Sequence, residues 1–208
     1  MSRGGVVYVV DDDHVVRASL AMLIETAGVE VRSYGSSREF LEDPHRDDCD
    51  CLVLDLRMPG MSGLELQSRL GSGFTAPIIF VSGHADVPTA VQAMRDGAVD
   101  FLQKPFSDQA LLDRVALALE RSRVRRMEAE RQAALRARLA LLTPRELEVM
   151  RLVVVGRMTK LIADKLQISV KTVEDHRAAV MKKMRAGSVA ELVRMVGESD
   201  DMAPGNST

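Results

Sequence analysis

The sequence predicts a doubly wound α/β fold, a five-stranded parallel sheet covered by helices, joined by a long helix to an all-α domain of four helices. Three observations carry this. Over residues 6–120, apolar β-rich runs alternate five times with stretches of helical spacing. No glycine or proline occurs between Pro105 and Pro144. From Thr143 onward only helical patterns follow.

The elements follow in order. VVYVV (6–10) is a continuous apolar run, as expected of a strand buried on both faces. HVVRASLAMLIETA (14–27) has helical spacing and stops before Gly28, a natural residue just past a helix end. VEVRSY (29–34) alternates like a strand, and SSREFLE (36–42) is a short helix. CLVLD (51–55) is the third strand and LELQSRL (64–70) its helix. PIIFVS (77–82) is followed by the helix VPTAVQAMRDG (87–97), which a glycine ends. VDFLQ (99–103) is the last strand, and SDQALLDRVALALE (107–120) is the fifth helix, with Ser107 as a natural N-cap.

Residues 106–143 can continue that helix without a break. ERSRVRRMEAERQ (120–132) is too polar to be buried on any face and reads as an exposed connector helix. Leu135, Leu139 and Leu142 then form an apolar stripe, expected to pack on the domain that follows rather than on a partner helix. Thr143, Pro144 and Glu146 spell a capped helix start over 143–150. Helices are expected around 159–167, over 170–186 with Ser169 as cap, and over 188–196. The expected division is 1–120, a helical linker 121–141, a second domain 142–197 and a disordered tail 198–208.

Net charge is −2, but it is unevenly spread. Residues 1–119 hold 10 basic and 18 acidic side chains, and residues 143–196 hold 11 and 6. A basic second half makes nucleic acid a candidate partner, although ordinary solvated charge would look the same. Cys49 and Cys51 are too few for a disulfide scaffold or a zinc site, so both read as structural. No run approaches the roughly 20 apolar residues of a membrane span, and MSRGGVVYVVDDD does not resemble a signal peptide. A cytoplasmic protein that does not engage membranes is the expectation.

The chemistry concentrates at strand ends. The first strand runs into Asp11, Asp12 and Asp13, the third ends in Asp55, and the fifth is followed by Lys104. In an open parallel sheet, ligands bind beyond the carboxyl ends of the strands, where the strand order reverses. Asp11, Asp12, Asp55 and Lys104 are therefore expected around one pocket. Neighbouring carboxylates raise one another's pKa unless a cation is present. Mg2+, or a related ion such as Mn2+, suits one or two carboxylates with water and a phosphate oxygen. Lys104 supplies a point charge for a phosphoryl group. Taken singly, Asp55 could cap a helix, Ser82 could be a loop residue and Phe101 could be core.

The set VVDDD, LVLDLRMPGMSG, IIFVSGHAD and DFLQKPF resembles the receiver domain of two-component response regulators, over roughly residues 5–120. The resemblance implies a flavodoxin-like strand order, 2-1-3-4-5. It implies that Asp55 accepts a phosphoryl group from a sensor histidine kinase. Asp11, Asp12, Asp55 and the backbone carbonyl of Arg57 would hold the metal, leaving Asp13 as a helix N-cap. Ser82 would bond a phosphoryl oxygen, Phe101 would turn inward as an aromatic switch, and Lys104 would pair with the phosphoryl group. Met61 and Gly63 fit the family's turn after the phosphoacceptor. His14, His45 and His84 are expected on the surface or in loops, His84 close enough to Ser82 to affect access of water.

LTPRELEVM, TKLIADKLQISVKTVEDHRAAVMKKM and SVAELVRM resemble the LuxR-type helix-turn-helix, over residues 142–196. With the receiver, this resembles the FixJ/NarL subfamily. The resemblance makes 170–184 a recognition helix entering the major groove, with Lys171, Glu174, Asp175, Arg177 and Ala178 facing outward. Lys160, Thr172, Lys182 and Lys183 become candidates for phosphate contacts, which position without specifying. Glu174 and Asp175 depart from a basic surface: acids can accept from cytosine N4 but repel phosphate. A protein-docking helical bundle is the alternative for this half.

Together the resemblances imply a transcription regulator, not an enzyme. Phosphorylated on Asp55, it would form a homodimer, bind promoter DNA and act on RNA polymerase, as an activator. Two other classes stand beside it. A haloacid-dehalogenase-like phosphatase also uses a strand-end aspartate and Mg2+, but carries a second aspartate two residues on, where this chain has Arg57. A phosphorylation-independent DNA binder with a vestigial receiver is opposed by the intact set Asp11, Asp12, Asp55, Ser82 and Lys104.

Overall fold

A computed structural model describes residues 5–83 and 87–197. The expectations for His84 and for the tail 198–208 lie outside the described residues. The chain divides into two units, Met1–Arg126 and Met127–Thr208.

The first unit alternates as β1 (Val6–Val10), α1 (His14–Glu25), β2 (Glu30–Tyr34), α2 (Ser37–Glu42), β3 (Cys51–Asp55), α3 (Gly63–Leu70), β4 (Ile78–Ser82), α4 (Val87–Arg95), β5 (Asp100–Gln103) and α5 (Asp108–Leu139). The sheet order is β2-β1-β3-β4-β5, and every neighbouring pair is parallel. β1, β3 and β4 are buried at every residue, which is why they read as unbroken apolar runs. Alternate residues feed two cores. Tyr8, Leu52, Leu54 and Phe80 pack with Phe40 of α2 and Leu66 of α3. Val7, Val53, Ile79 and Val81 pack with Ile24 of α1 and with Leu111 and Val115 of α5. Each such aliphatic or aromatic side chain contributes about 1.5–3 kcal/mol by leaving water. Cys49 and Cys51 are buried and unpaired; burial pushes the Cys49 thiol up to about 12, so it is inert.

α5 remains attached to the sheet beyond residue 120. Buried Asp50 accepts the Val6 amide at 3.0 Å and pairs with Arg126. Ser122 Oγ donates to the Asp50 carbonyl at 2.6 Å. These bonds hold α5 to the first unit as far as Arg126.

In the second unit, α6 (Pro144–Val154), α7 (Thr159–Leu166), α8 (Val170–Met184) and α9 (Val189–Gly197) enclose one core around Met150, Ile162, Val173, Met184 and Leu192. Leu135, Leu139 and Leu142 pack against that core, as the stripe predicts. α5 ends at Leu139, short of the 143 that the sequence allows, because Thr143 must be extended (φ −69°, ψ 159°) to cap α6. α8 stops at Met184, where Arg185 adopts a left-handed conformation (φ 54°).

Glu146 holds this start together. Its carboxylate accepts the Thr143 amide at 2.7 Å, while Lys183 Nζ lies 2.8 and 2.6 Å from its two oxygens. Lys183, expected to face DNA phosphate, is therefore committed to tying α8 to α6. The Lys183 ammonium, then the Thr143 N–H, hold the Glu146 carboxyl below the ordinary glutamate range. A carboxyl lowered on folding stabilises above its unfolded value, about 4.3, and that stability is lost as pH falls through the folded value. Glu146→Gln is expected to destabilise the second unit by about 1–3 kcal/mol at neutral pH, because Lys183 loses its charged partner. Amide hydrogen exchange of α6 and α8 measures this, and the difference from wild type should close as the pH is lowered.

Candidate functional site

β1 and β3 are adjacent, with Val10 opposite Leu54, so Asp11 and Asp55 leave the sheet side by side. Ser82 ends β4 opposite Gln103 of β5, and the Lys104 amide donates to the Ser82 carbonyl at 2.8 Å. That bond sets Lys104 at the same end of the sheet. Its Nζ reaches 3.0 Å from Asp11 Oδ2 and 3.3 Å from Asp55 Oδ1. The carboxylate side chains are 3% and 10% exposed and the lysine 25%, so the ammonium is the pocket's open side.

The remaining oxygens are held by backbone. Asp11 Oδ1 accepts the Asp13 amide at 2.9 Å, and Asp55 Oδ2 accepts the Arg57 amide at 2.7 Å. Burial raises the Asp55 carboxyl above the ordinary aspartate value; the Arg57 N–H opposes this, the Asp11 charge adds to it, and Lys104 opposes it. Two carboxylates facing one ammonium leave one negative charge in excess when all are ionised. With only oxygen donors, this suits a hard divalent cation.

Of the sequence-predicted residues, Asp11, Asp55 and Lys104 converge. Ser82 is buried at the adjacent strand end. Phe101 is half-buried, its ring stacked on Phe80 at 6.3 Å between centroids. Asp13 is the N-cap of α1, accepting from Val15 and Val16. Asp12 does not join Asp11 and Asp55: it is exposed, and among the described residues no three acidic, histidine or cysteine side chains converge on a metal position. Exposure spares the pocket a third buried charge.

Two supports were not foreseen, and a third, Gly63, was read only as part of the turn after Asp55. Arg17 Nη1 on α1 donates to the Asp11 carbonyl at 2.6 Å and the Asp12 carbonyl at 3.4 Å, fixing the acidic loop from behind. A cation near a helix N-terminus, where the dipole disfavours it, was the only sequence signal. Ser37 Oγ donates to the Met61 carbonyl at 3.0 Å. Gly63 packs so closely that an added Cβ would stand 2.3 Å from the Asp55 carbonyl oxygen, so only glycine lets α3 begin there.

In the second unit, Lys160, Lys171, Glu174, Asp175, Ala178 and Lys182 are exposed. Lys171 Nζ lies 3.1 Å from Asp175 Oδ1, so the acid that looked misplaced is neutralised one turn away. Thr172 sits in the first turn of α8, where its hydroxyl meets the capping Ser169 hydroxyl at 2.8 Å. Arg177 is not outward as expected. It follows Val173 by four residues and precedes Val180 by three, which puts it on the buried seam, and its Nη1 donates to Thr159 Oγ1 of α7 at 2.7 Å.

A carboxyl raised on folding favours the folded state when protonated, and that advantage is lost as pH rises through the folded value. Asp55→Asn is therefore expected to stabilise the first unit at neutral pH. Urea unfolding should show the gain shrinking as the pH falls through the raised Asp55 value toward the ordinary aspartate value, about 3.9, where it is gone.

Comparison with known proteins places these features. A response regulator receiver domain model matches residues 7–116, and a model of bacterial regulatory proteins of the luxR family matches residues 140–196. Nodulation protein W of Bradyrhizobium diazoefficiens is 50% identical over 196 residues, covering 93% of this chain and 86% of that protein. The transcriptional regulatory protein FixJ of Azorhizobium caulinodans is 44% identical over 204 residues, covering 95% and 97%. The solved structure of the response regulator StyR superposes with a TM-score of 0.87 at 43% identity, covering 94% of this chain and 100% of that one.

Proposed function

The chain belongs to the response regulators that join a receiver domain to a LuxR-family DNA-binding domain, transcriptional regulators and not enzymes, and from that premise we propose that phosphorylation of Asp55 switches its binding to promoter DNA. The observation that carries this is the Lys104 ammonium set between the buried Asp11 and Asp55 carboxylates at the carboxyl end of the sheet. In-line phosphoryl transfer needs positioning and charge neutralisation more than a strong nucleophile. The phosphorus–nitrogen bond of a phosphohistidine on a sensor histidine kinase breaks, a bond from phosphorus to an Asp55 oxygen forms, and the imidazole leaves with a proton from solvent. Lys104 then pairs with the new phosphoryl oxygens and Ser82 bonds one of them. Asp11, Asp55 and the Arg57 carbonyl are the proposed holders of Mg2+ or Mn2+, with the exposed Asp12 turning in to join them; the ion would neutralise phosphoryl charge.

Phosphoryl acceptance is assigned to residues 1–120, connection to 121–141 and DNA binding to 142–197. Val87, Val91 and Met94 form an exposed apolar stripe on α4, which supports a homodimer made when Phe101 and the neighbouring β5 move. Two linked DNA-binding units bind paired half-sites far more tightly than one. The dimer acts in the cytoplasm as an activator through RNA polymerase; no helix among the described residues is long and apolar enough to cross a membrane. Lys171 and Glu174 on the exposed face of α8 are the proposed base readers, with Asp175 buffered by Lys171. Lys160, Thr172 and Lys182 are the proposed phosphate contacts.

Sedimentation with beryllofluoride and Mg2+ is expected to convert the wild-type monomer to a dimer and leave Asp55→Asn unchanged; a shift in both, or in neither, refutes an Asp55-driven dimer. Because only the ionised carboxylate attacks, labelling by acetyl phosphate should decline on acidification at a pH above the ordinary aspartate titration.

Lys160→Ala and Lys182→Ala are each expected to weaken binding to all duplex sequences alike and to lower the slope of log K against log salt by about 1. Fluorescence anisotropy over a salt series measures both effects.

A further inference from the structure

α8 presents one face away from its buried seam of Val173, Val180 and Met184. Lys171, Glu174, Asp175 and Ala178, spaced i, i+3, i+4, i+7, are exposed there. Two acids on a helix assigned to DNA are unexpected, and they differ in their surroundings. Lys171 Nζ lies 3.1 Å from Asp175 Oδ1 and cancels that charge.

Glu174 has no such partner. The cations one turn to either side of it are both engaged elsewhere, Lys171 with Asp175 and Arg177 with Thr159 Oγ1 at 2.7 Å. Among the described residues Glu174 makes no ion pair and no side-chain hydrogen bond. It does not cap the helix either: Ser169 does, accepting the Thr172 amide. As the fifth residue of α8 it lies beyond the first turn, the only part of a helix where an acid gains from the dipole.

A lone carboxylate among phosphates weakens binding to every sequence unless a donor on a base edge meets it. In the major groove only adenine N6 and cytosine N4 donate. Adenine N6 stands beside the acceptor N7, which repels a carboxylate. Cytosine carries no acceptor on that edge.

We propose that Glu174 makes the protein select a cytosine in each half-site: its carboxylate accepts from cytosine N4 and is repelled where that donor is missing. This rests on α8 being the recognition helix and names the base that it reads. The acid contributes specificity by penalising other sequences, and it lowers overall affinity in doing so.

The test is selection of duplexes randomised over about 20 base pairs, two half-sites one turn apart, by the full chain with beryllofluoride and Mg2+. The wild type is expected to enrich one cytosine per half-site that Glu174→Gln replaces with adenine, because a carboxamide matches adenine N6 and N7 together. Fluorescence anisotropy on the selected duplex and on its cytosine-to-adenine counterpart gives the magnitudes. Wild type should prefer the cytosine duplex about tenfold, and Glu174→Gln the adenine duplex. Glu174→Ala should bind both alike, and should bind unrelated DNA more tightly than wild type does. Identical pools from wild type and Glu174→Gln overturn the proposal, as does an equal loss of affinity for all duplexes in Glu174→Ala. No enrichment by the wild type overturns the recognition-helix reading, and this proposal with it. A gain of adenine binding cannot come from misfolding, and Glu174→Ala decides should the carboxamide variant fail to fold.

Discussion

An ammonium set between two buried carboxylates constrains the first unit more than any other interaction. Lys104 stands 93 residues from Asp11 and 49 from Asp55 in sequence, yet its Nζ contacts both. This requires β1 and β3 to be neighbours and β5 to end level with them, which the order β2-β1-β3-β4-β5 supplies. It also requires the carboxylates to be held, since two buried charges that drift apart from their partner are strongly disfavoured. The amides of Asp13 and Arg57 provide that restraint, with Arg17 bracing the loop behind Asp11 and Gly63 allowing α3 to start against the Asp55 carbonyl. Burial first, and then the neighbouring Asp11 charge, raises the Asp55 carboxyl, and two carboxylates facing one ammonium leave a site suited to a further cation.

The second unit uses charge differently. Glu146 and Lys183 form a mostly buried pair that fixes the start of α6 against α8, while Lys171 and Asp175 form an exposed pair whose energetic contribution is small. The first is architecture. The second changes the character of the α8 surface by cancelling an acid that would otherwise repel phosphate. Two lysines that look alike in sequence thus have opposite assignments, and burial of the partner decides which is which.

Much of this was legible in the chain. The unbroken apolar runs of β1, β3 and β4 report burial on both faces, and Asp13, Thr143 and Ser169 each cap the helix they precede. Asp11, Asp55 and Lys104 could be placed together because the carboxyl ends of parallel strands lie at one edge. Arg177 was readable too: its spacing from Val173 and Val180 already sets it on the seam, and only its charge suggested an outward face. Asp12 was not, because nothing in a run of three aspartates says which side chain turns inward.

What the sequence by itself determined are the features carried by neighbours along the chain: period, caps, the glycines at turns and the strand-end position of Asp55. The tertiary structure alone decided which other charged groups find partners, namely Arg17 with the Asp11 carbonyl, Arg126 with Asp50, and Lys183 with Glu146. Hydrophobic burial is non-directional and leaves a periodic imprint on sequence. An ion pair needs only one atom from each partner within a few ångströms, and residues dozens of positions apart carry no local mark of it.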